Sequence, residues 1–176
     1  MNLFQGSEIP VQIRYLVIRD LPQVLAIEQT CFEFPWTEEE FRQCLQHHPN
    51  CLGIVAEHEG RVVGFAIYET PKSRIFITNI AVDPEFQRHN VARQMVQKLV
   101  ERMIYQRRHK IVIEIRETNL SALLCFRALG FRASTVLKNF YEDQSEDTYV
   151  LQYRLGAEHI DPVYAPAPRA EELLAS

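Results

Sequence analysis

The residues with the most chemical promise lie over 75–98, I-F-I-T-N-I-A-V-D-P-E-F-Q-R-H-N-V-A-R-Q-M-V-Q-K. A strand pattern rich in β-branched residues ends on Ile80, Ala81 and Val82 and leads into Gln87-Arg88-His89-Asn90-Val91-Ala92-Arg93, and a helical pattern follows. A helix start offers N–H groups without intrahelical partners and the positive end of the helix dipole, so this arrangement suits a pyrophosphate. Arg88 and Arg93 add charge that either pairs with phosphates or is simply solvated at the surface. A second promising group is Glu114. The alternation I-V-I-E-I over 111–115 sets its carboxylate on one face of a strand expected to be buried, where an unpaired charge needs a reason. Burial would raise its pKa, as suits a base acting through water on an ammonium; the other reading is a strand-end salt bridge to Arg116 or another arginine.

The surrounding pattern supplies the frame. A strand is predicted over 13–18, then a helix with Asp20 as N-cap and Pro22 in its first turn. Thr37 with Glu40 forms a capping box that opens a second helix. Strands over 51–56 and 61–68 flank the hairpin signal His58-Glu59-Gly60, and a long strand runs over 74–82. The helix over 90–107 carries Val91, Met95, Leu99 and Met103 on one face. A parallel strand over 110–115 follows, then a short helix over 120–129 capped by Asn119 or Ser121 and ended by Gly130. Two strands, 131–137 and 147–155, are joined by a polar loop over 139–146, and Glu146 and Asp147 at its end read as a solvated turn rather than as a hold on an ammonium group. Strand, two helices, three strands, helix, strand, helix and two strands make a mixed α/β sheet with helices on both faces and a right-handed crossover over 74–115. Residues 1–155 form one domain in this reading, and the Pro- and Ala-bearing stretch 156–176 a tail.

At 176 residues, 47% hydrophobic and 24% charged, the chain can bury a core without staples. A net charge of −4 gives no footprint for nucleic acid or an anionic membrane. No long apolar run or signal-peptide pattern is present, so a cytoplasmic location is expected. The four cysteines, Cys31, Cys44, Cys51 and Cys125, lack C-x-x-C or metal-ligand spacing and read as buried reduced thiols, with no metal expected.

The segment N-I-A-V-D-P-E-F-Q-R over 79–88 and the order of elements resemble the Gcn5-related N-acetyltransferases (GNAT family). Further matches resemble ribosomal-protein-alanine N-acetyltransferases of the RimI type: I-E-Q-T-C-F-E-F-P-W-T over 27–37, I-E-I-R-E-T-N over 113–119, A-L-G-F over 128–131 and N-F-Y over 139–141. The resemblance implies a mixed sheet of about seven strands with about four helices, and acetyl-CoA as cosubstrate. It implies that Ile80, Ala81 and Val82 bond the pantetheine arm where their strand splays from its neighbour after them. Gln87, Arg88, His89, Asn90, Val91, Ala92 and Arg93 would wrap the pyrophosphate, and Asn119 would touch the arm. An N–H near Val82 would steady the thioester carbonyl as charge develops. Glu114 and Tyr141 are the implied catalytic groups, and Phe34, Trp36 and Tyr141 the implied acceptor walls, although Phe34 and Trp36 also suit a core. The acceptor is then a protein N-terminal peptide, such as that of a ribosomal protein, and the enzyme a monomer or homodimer.

Two departures from the family pattern stand out. Its Q/R-x-x-G-x-G/A loop reads Q-R-H-N-V-A here, with Asn90 at the first glycine position. Asn is a non-glycine residue enriched in the left-handed backbone such a loop demands. The family's tyrosine, proposed to protonate the departing thiolate, is Phe126. A coenzyme A thiol resembles a free thiol with pKa near ~8.5 and can leave unprotonated at modest cost. The alternatives are a catalytically silent acyl-CoA-binding module and an enzyme acting on a small-molecule amine or lysine.

Overall fold

The computed structural model describes residues 7–138 and 146–155. In chain order the elements are β1 (Gln12–Tyr15), α1 (Leu21–Cys31), α2 (Glu38–Arg42), β2 (Cys51–His58), β3 (Arg61–Glu69), β4 (Arg74–Val82), α3 (Val91–Tyr105), β5 (Lys110–Arg116), α4 (Leu120–Ala128), β6 (Arg132–Leu137) and β7 (Thr148–Arg154). The strands form one mixed sheet of seven in the order β1-β2-β3-β4-β5-β7-β6. Two compact units share it, Met1–Ile113 and Glu114–Ser176, and the chain passes from one to the other within β5.

In the first unit, neighbouring strands from β1 to β4 pair antiparallel, and β5 joins β4 in parallel. The β2–β3 hairpin closes on Glu59 (φ 49°) and Gly60 (φ 80°), both left-handed, as the right-handed strand twist requires of a two-residue turn. Side chains of β3 alternate between two cores. Phe65 and Ile67 pack with Leu21, Val24 and Ile27 of α1 and Phe41 of α2. On the opposite face, a Cβ at Gly64 would lie 3.2 Å from Met95 Cε of α3, and the Arg102 guanidinium of α3 donates to Tyr68 Oη at 2.5 Å. Burial of Tyr68 outweighs that cation and pushes its phenol up to about 12.

An interruption in β4 matters more for function. Ile77 pairs with Tyr68 but Asn79 pairs with Ile67, so Thr78 is one residue too many: a β-bulge. Its hydroxyl donates to the Ile67 carbonyl at 3.0 Å. Directly opposed residues share a face, so the bulge turns the alternation over. Ile77 lies with Tyr68 on the α3 side, whereas Asn79 and Ala81 lie with Ile67 and Phe65 on the α1 side.

Two expectations from sequence are corrected in this unit. Asp20 occupies the N-cap position of α1, but its side chain makes no capping bond. Its oxygens instead accept from Arg14 at 2.7 and 2.9 Å and from the Val17 N–H at 2.9 Å. Burial alone would raise the Asp20 carboxyl; the bonds from Arg14 and Val17 outweigh it and hold the group below the usual carboxylate range. The cysteines are not all reduced. Cys44, in the wide turn after α2, is disulfide-bonded to Cys51 at the start of β2, with Cα atoms 5.8 Å apart, while Cys31 and Cys125 are free. Sequence spacing alone does not reveal that α2 turns back beside the β2 entry.

In the second unit α4 ends as Gly130 (φ 94°) takes the left-handed position. Phe131 N–H bonds the Phe126 carbonyl at 3.0 Å and Gly130 N–H the Arg127 carbonyl at 3.1 Å, a Schellman closure. The rings of Phe126 and Phe131 meet edge to face at 5.0 Å, the apolar contact that accompanies such a cap. β6 and β7 pair antiparallel. No helix among the described residues is long and apolar enough to cross a membrane.

Asp20→Asn should destabilise the protein by about 2 kcal/mol at neutral pH, since a charged hydrogen-bond partner of Arg14 is lost. A depressed folded pKa stabilises only above the unfolded value near ~3.9 and is lost as pH falls through the folded one. Denaturant titrations of the two proteins should therefore converge as the pH falls through and below the usual carboxylate range. Reducing Cys44–Cys51 should lower the thermal midpoint, because reopening a short closed loop returns roughly 2–3 kcal/mol of chain entropy to the unfolded state.

Candidate active site

Backbone direction at the end of β4 provides the first part of the site. Parallel pairing with β5 stops at Ile77 opposite Ile113, while β4 itself continues to Val82. The strands thus part three residues before Ile80, earlier than the family resemblance implies. Asp83 N–H bonds the Val63 carbonyl at 2.9 Å. Antiparallel ladders alternate, so the N–H and C=O groups of Val82, and of Ile80 two residues back, turn away from β3 toward the edge. Val82 C=O is taken there by Gln87 Nε2 at 3.0 Å and by the Cys31 thiol at 3.4 Å, which leaves the neighbouring N–H directed outward. Burial, with smaller contributions from Asp83 and Glu28, pushes that Cys31 thiol up and keeps it protonated.

The loop beyond is shaped by two left-handed non-glycine residues, Arg88 (φ 67°) and Asn90 (φ 62°). Asn90 is the N-cap of α3, whose first backbone bond runs from Gln94 N–H to Asn90 C=O at 3.0 Å. The amides of Val91 and Ala92 precede that ladder and point out of the helix start. From behind, residues 9–11 hold the turn: Ile9 N–H reaches His89 C=O at 3.4 Å, and Gln94 Nε2 donates to Ile9 C=O at 2.8 Å. Asn90 Oδ1 is closed off from solvent and has no partner among the described residues. A phosphorylated, amide-bearing ligand fits this donor set, with outward N–H groups at the strand edge and helix start and an orphan acceptor at the turn.

Phe34 is 66% exposed, as a substrate wall would be, whereas Trp36 is half-buried against Phe41 with ring centroids 5.3 Å apart. Trp36 is therefore mainly core. In the second unit Glu114 is exposed, so the burial expected of it is corrected: the strand is buried at Ile113 and Ile115, but the side between them opens to solvent. Asn119 caps α4, its Oδ1 accepting from Ala122 N–H at 3.1 Å. Glu146 is no solvated turn. It accepts from the Thr118 N–H at 3.1 Å, the Thr118 hydroxyl and Arg116 at 3.4 Å, and these bonds hold its carboxyl below the usual range. Tyr141 lies outside the described residues. No group of three or more His, Cys, Asp or Glu side chains gathers among the described residues as a metal would require.

The family model described as "Acetyltransferase (GNAT) family" matches residues 21–131. The chain belongs to the GNAT acetyltransferase family. It is 29% identical over 141 residues to the [ribosomal protein bS18]-alanine N-acetyltransferase of Escherichia coli K12, covering 79% of this chain and 94% of that one. The Salmonella typhimurium counterpart is 30% identical over 129 residues, covering 73% and 86%. The crystal structure of the Escherichia coli ribosomal-protein-S18-alanine N-acetyltransferase superposes with a TM-score of 0.75 at 26% identity, covering 88% of this chain and all of that one. A GNAT enzyme moves an acetyl group from acetyl-CoA to an amine, and the strand edge and helix start described above are the parts of this chain suited to that cosubstrate. The same membership sharpens the meaning of Phe126. It is 5% exposed and locked into the α4 cap by Phe131, which in turn packs on Tyr153 at 5.6 Å. The ring thus serves the C-terminal closure of α4, and carries no proton to give.

Sequence reading missed Glu28 and Asn79. Glu28 is 1% exposed, and its carboxylate accepts from Trp36 N–H at 2.9 Å and from Asn79 Nδ2 at 3.1 and 3.0 Å. A glutamate on the apolar face beside Val24 and Ile27 was the available signal. No spacing rule pairs it with Asn79, because only the bulge at Thr78 sends that amide to the α1 side.

Asn90→Val should lower stability by about 1–2 kcal/mol, since a β-branched residue resists the left-handed backbone. Asn90→Gly should leave the urea midpoint near that of the parent protein. Equal midpoints for all three would mean that the turn does not hold this conformation in solution.

Proposed function

We propose that this protein transfers the acetyl group of acetyl-CoA to the α-amine of a protein N terminus, such as that of a ribosomal protein. The observation that carries the reading is the outward backbone of Ile80 and Val82 leading, through Gln87 and Arg88, to the left-handed Asn90 at the start of α3. In this reading the amides of Ile80 and Val82 bind the carrier's arm, and those from His89 to Ala92, with Arg88, bind its phosphates. Arg93 and Asn119 assist in holding it. Acetyl-CoA supplies an activated thioester. The Val82 N–H stabilises the carbonyl oxygen as it becomes negative.

Glu114 takes a proton from the acceptor ammonium through water, a role its exposure permits because water reaches the carboxylate. An α-amine has a pKa near ~8 and a lysine side chain near ~10.4, so preparing a lysine would cost about 3 kcal/mol more. The smaller cost favours the α-amine. Phe34 forms one acceptor wall and Tyr141 another; Tyr141 also handles the proton that Phe126 cannot supply. The relatives that act on ribosomal protein bS18 support this choice of acceptor. The reading places the protein in the cytoplasm with its cosubstrate, acting as one domain over residues 1–155, as a monomer or homodimer.

Incubation with acetyl-CoA and a peptide beginning with alanine should release thiol and add one acetyl group at the α-amine, located by mass spectrometry. Glu114→Gln should slow turnover by about 100-fold, the ordinary worth of a general base. Acetyl-CoA binding by calorimetry without turnover on any peptide or amine would replace the enzyme with an acyl-CoA-binding module.

A further inference from the structure

The Glu28 carboxylate is the most buried acidic group among the described residues, and nothing in the reaction outlined above uses it. Its described partners are neutral amides, with no cation among them. Burial is the strongest influence on it and pushes the carboxyl up; the bonds from Trp36 N–H and Asn79 oppose that rise without cancelling it. Such a group is a poor choice for stability alone, because well-packed apolar side chains commonly replace buried charges without loss.

Its geometry suggests what it is for. Glu28 grips both ends of one short loop. Its backbone carbonyl accepts from Phe32 N–H at 3.0 Å, closing α1, and its carboxylate accepts from Trp36 N–H at 2.9 Å. Phe34 lies midway between those anchors and projects into solvent. Trp36 is held on its other side by Phe41, which itself meets Phe65 edge on at 5.7 Å. The same carboxylate takes Asn79 Nδ2 on both oxygens, and Asn79 directly precedes Ile80 on the strand edge. We propose that Glu28 is a positioning residue for the acceptor: it ties the loop carrying Phe34 to β4, and so sets where the acceptor wall stands relative to the edge at Ile80 and Val82.

This inference rests on the reading of Phe34 as an acceptor wall, but its test has an arm that needs no turnover. Trp36 is the sole tryptophan in the sequence, so intrinsic fluorescence reports the loop directly. Glu28→Gln preserves size yet sets one amide against another at Asn79. The emission of Trp36 should shift to the red, and acrylamide should quench it more readily. With an alanine-starting peptide, the peptide KM should rise about tenfold, the usual effect of losing a charged hydrogen bond. The acetyl-CoA KM should stay within about threefold. Adding Asn79→Asp should reverse both changes, because the introduced glutamine can then accept from Trp36 N–H through its carbonyl while its amide donates to the introduced carboxylate. Phe34→Ala should raise the peptide KM similarly, and combining it with Glu28→Gln should add little, as expected of residues acting through one another.

Unchanged fluorescence and peptide KM in Glu28→Gln would overturn the proposal. So would an equal rise in both KM values with a lower thermal midpoint that Asn79→Asp fails to repair, since that marks a merely structural carboxylate. If the parent protein acetylates no peptide, the acceptor reading fails, and with it the role assigned to Phe34. The fluorescence reversal by Asn79→Asp would still decide whether the tie between loop and strand exists.

Discussion

One extra residue in β4 governs the first unit. With Thr78 bulged out and its hydroxyl bonded to Ile67 C=O, the strand changes which side chains it sends to each face halfway along its length. Before the bulge, Ile77 packs toward α3 as an ordinary sheet residue. Beyond it, Asn79 and Ala81 turn to the α1 side, and the peptide groups of Ile80 and Val82 turn to the open edge. A strand without the bulge would present the same residues on the opposite faces, because side chains repeat every two positions. Asn79 would then meet α3, and Glu28 would be left buried without its amide.

That single irregularity links two features often treated separately, the edge proposed to receive an acyl carrier and the wall proposed to receive an acceptor. The edge depends on where β4 loses its pairing with β5, at Ile77 and Ile113. The wall depends on the loop after α1, whose anchors converge on Glu28 and, through Asn79, on the residue preceding Ile80. Free Cys31, in the last turn of α1, also reaches this strand by donating to Val82 C=O. The α1 face therefore does more than cover the sheet; it clamps the functional end of β4.

The second unit shows a position doing structural service where the family expects chemistry. Phe126 supplies the apolar half of a Schellman closure with Phe131, and Gly130 provides the left-handed turn between them. Glu146 similarly gathers the Thr118 amide and Arg116, which joins the end of β5 to the residue ahead of β7.

The order of every helix and strand was legible in the residues, as were the capping box at Thr37, the left-handed Asn90, the Asn119 cap and the glycine stop at Gly130. These depend on contacts within a few positions, where residue type and spacing carry the physics. The burial of Glu114, the capping bond of Asp20 and the state of Cys44 and Cys51 were misread for the same underlying reason. Exposure at one point of a strand, a competing arginine six residues away and the return of α2 toward β2 are settled by packing. Glu28 and Asn79, 51 positions apart, meet only because a bulge turns one side chain over. Local sequence determined the elements and the loop that turns at Asn90; tertiary structure alone decided which polar groups share a buried space, because hydrogen-bond partners distant in sequence are chosen by strand register rather than by residue type.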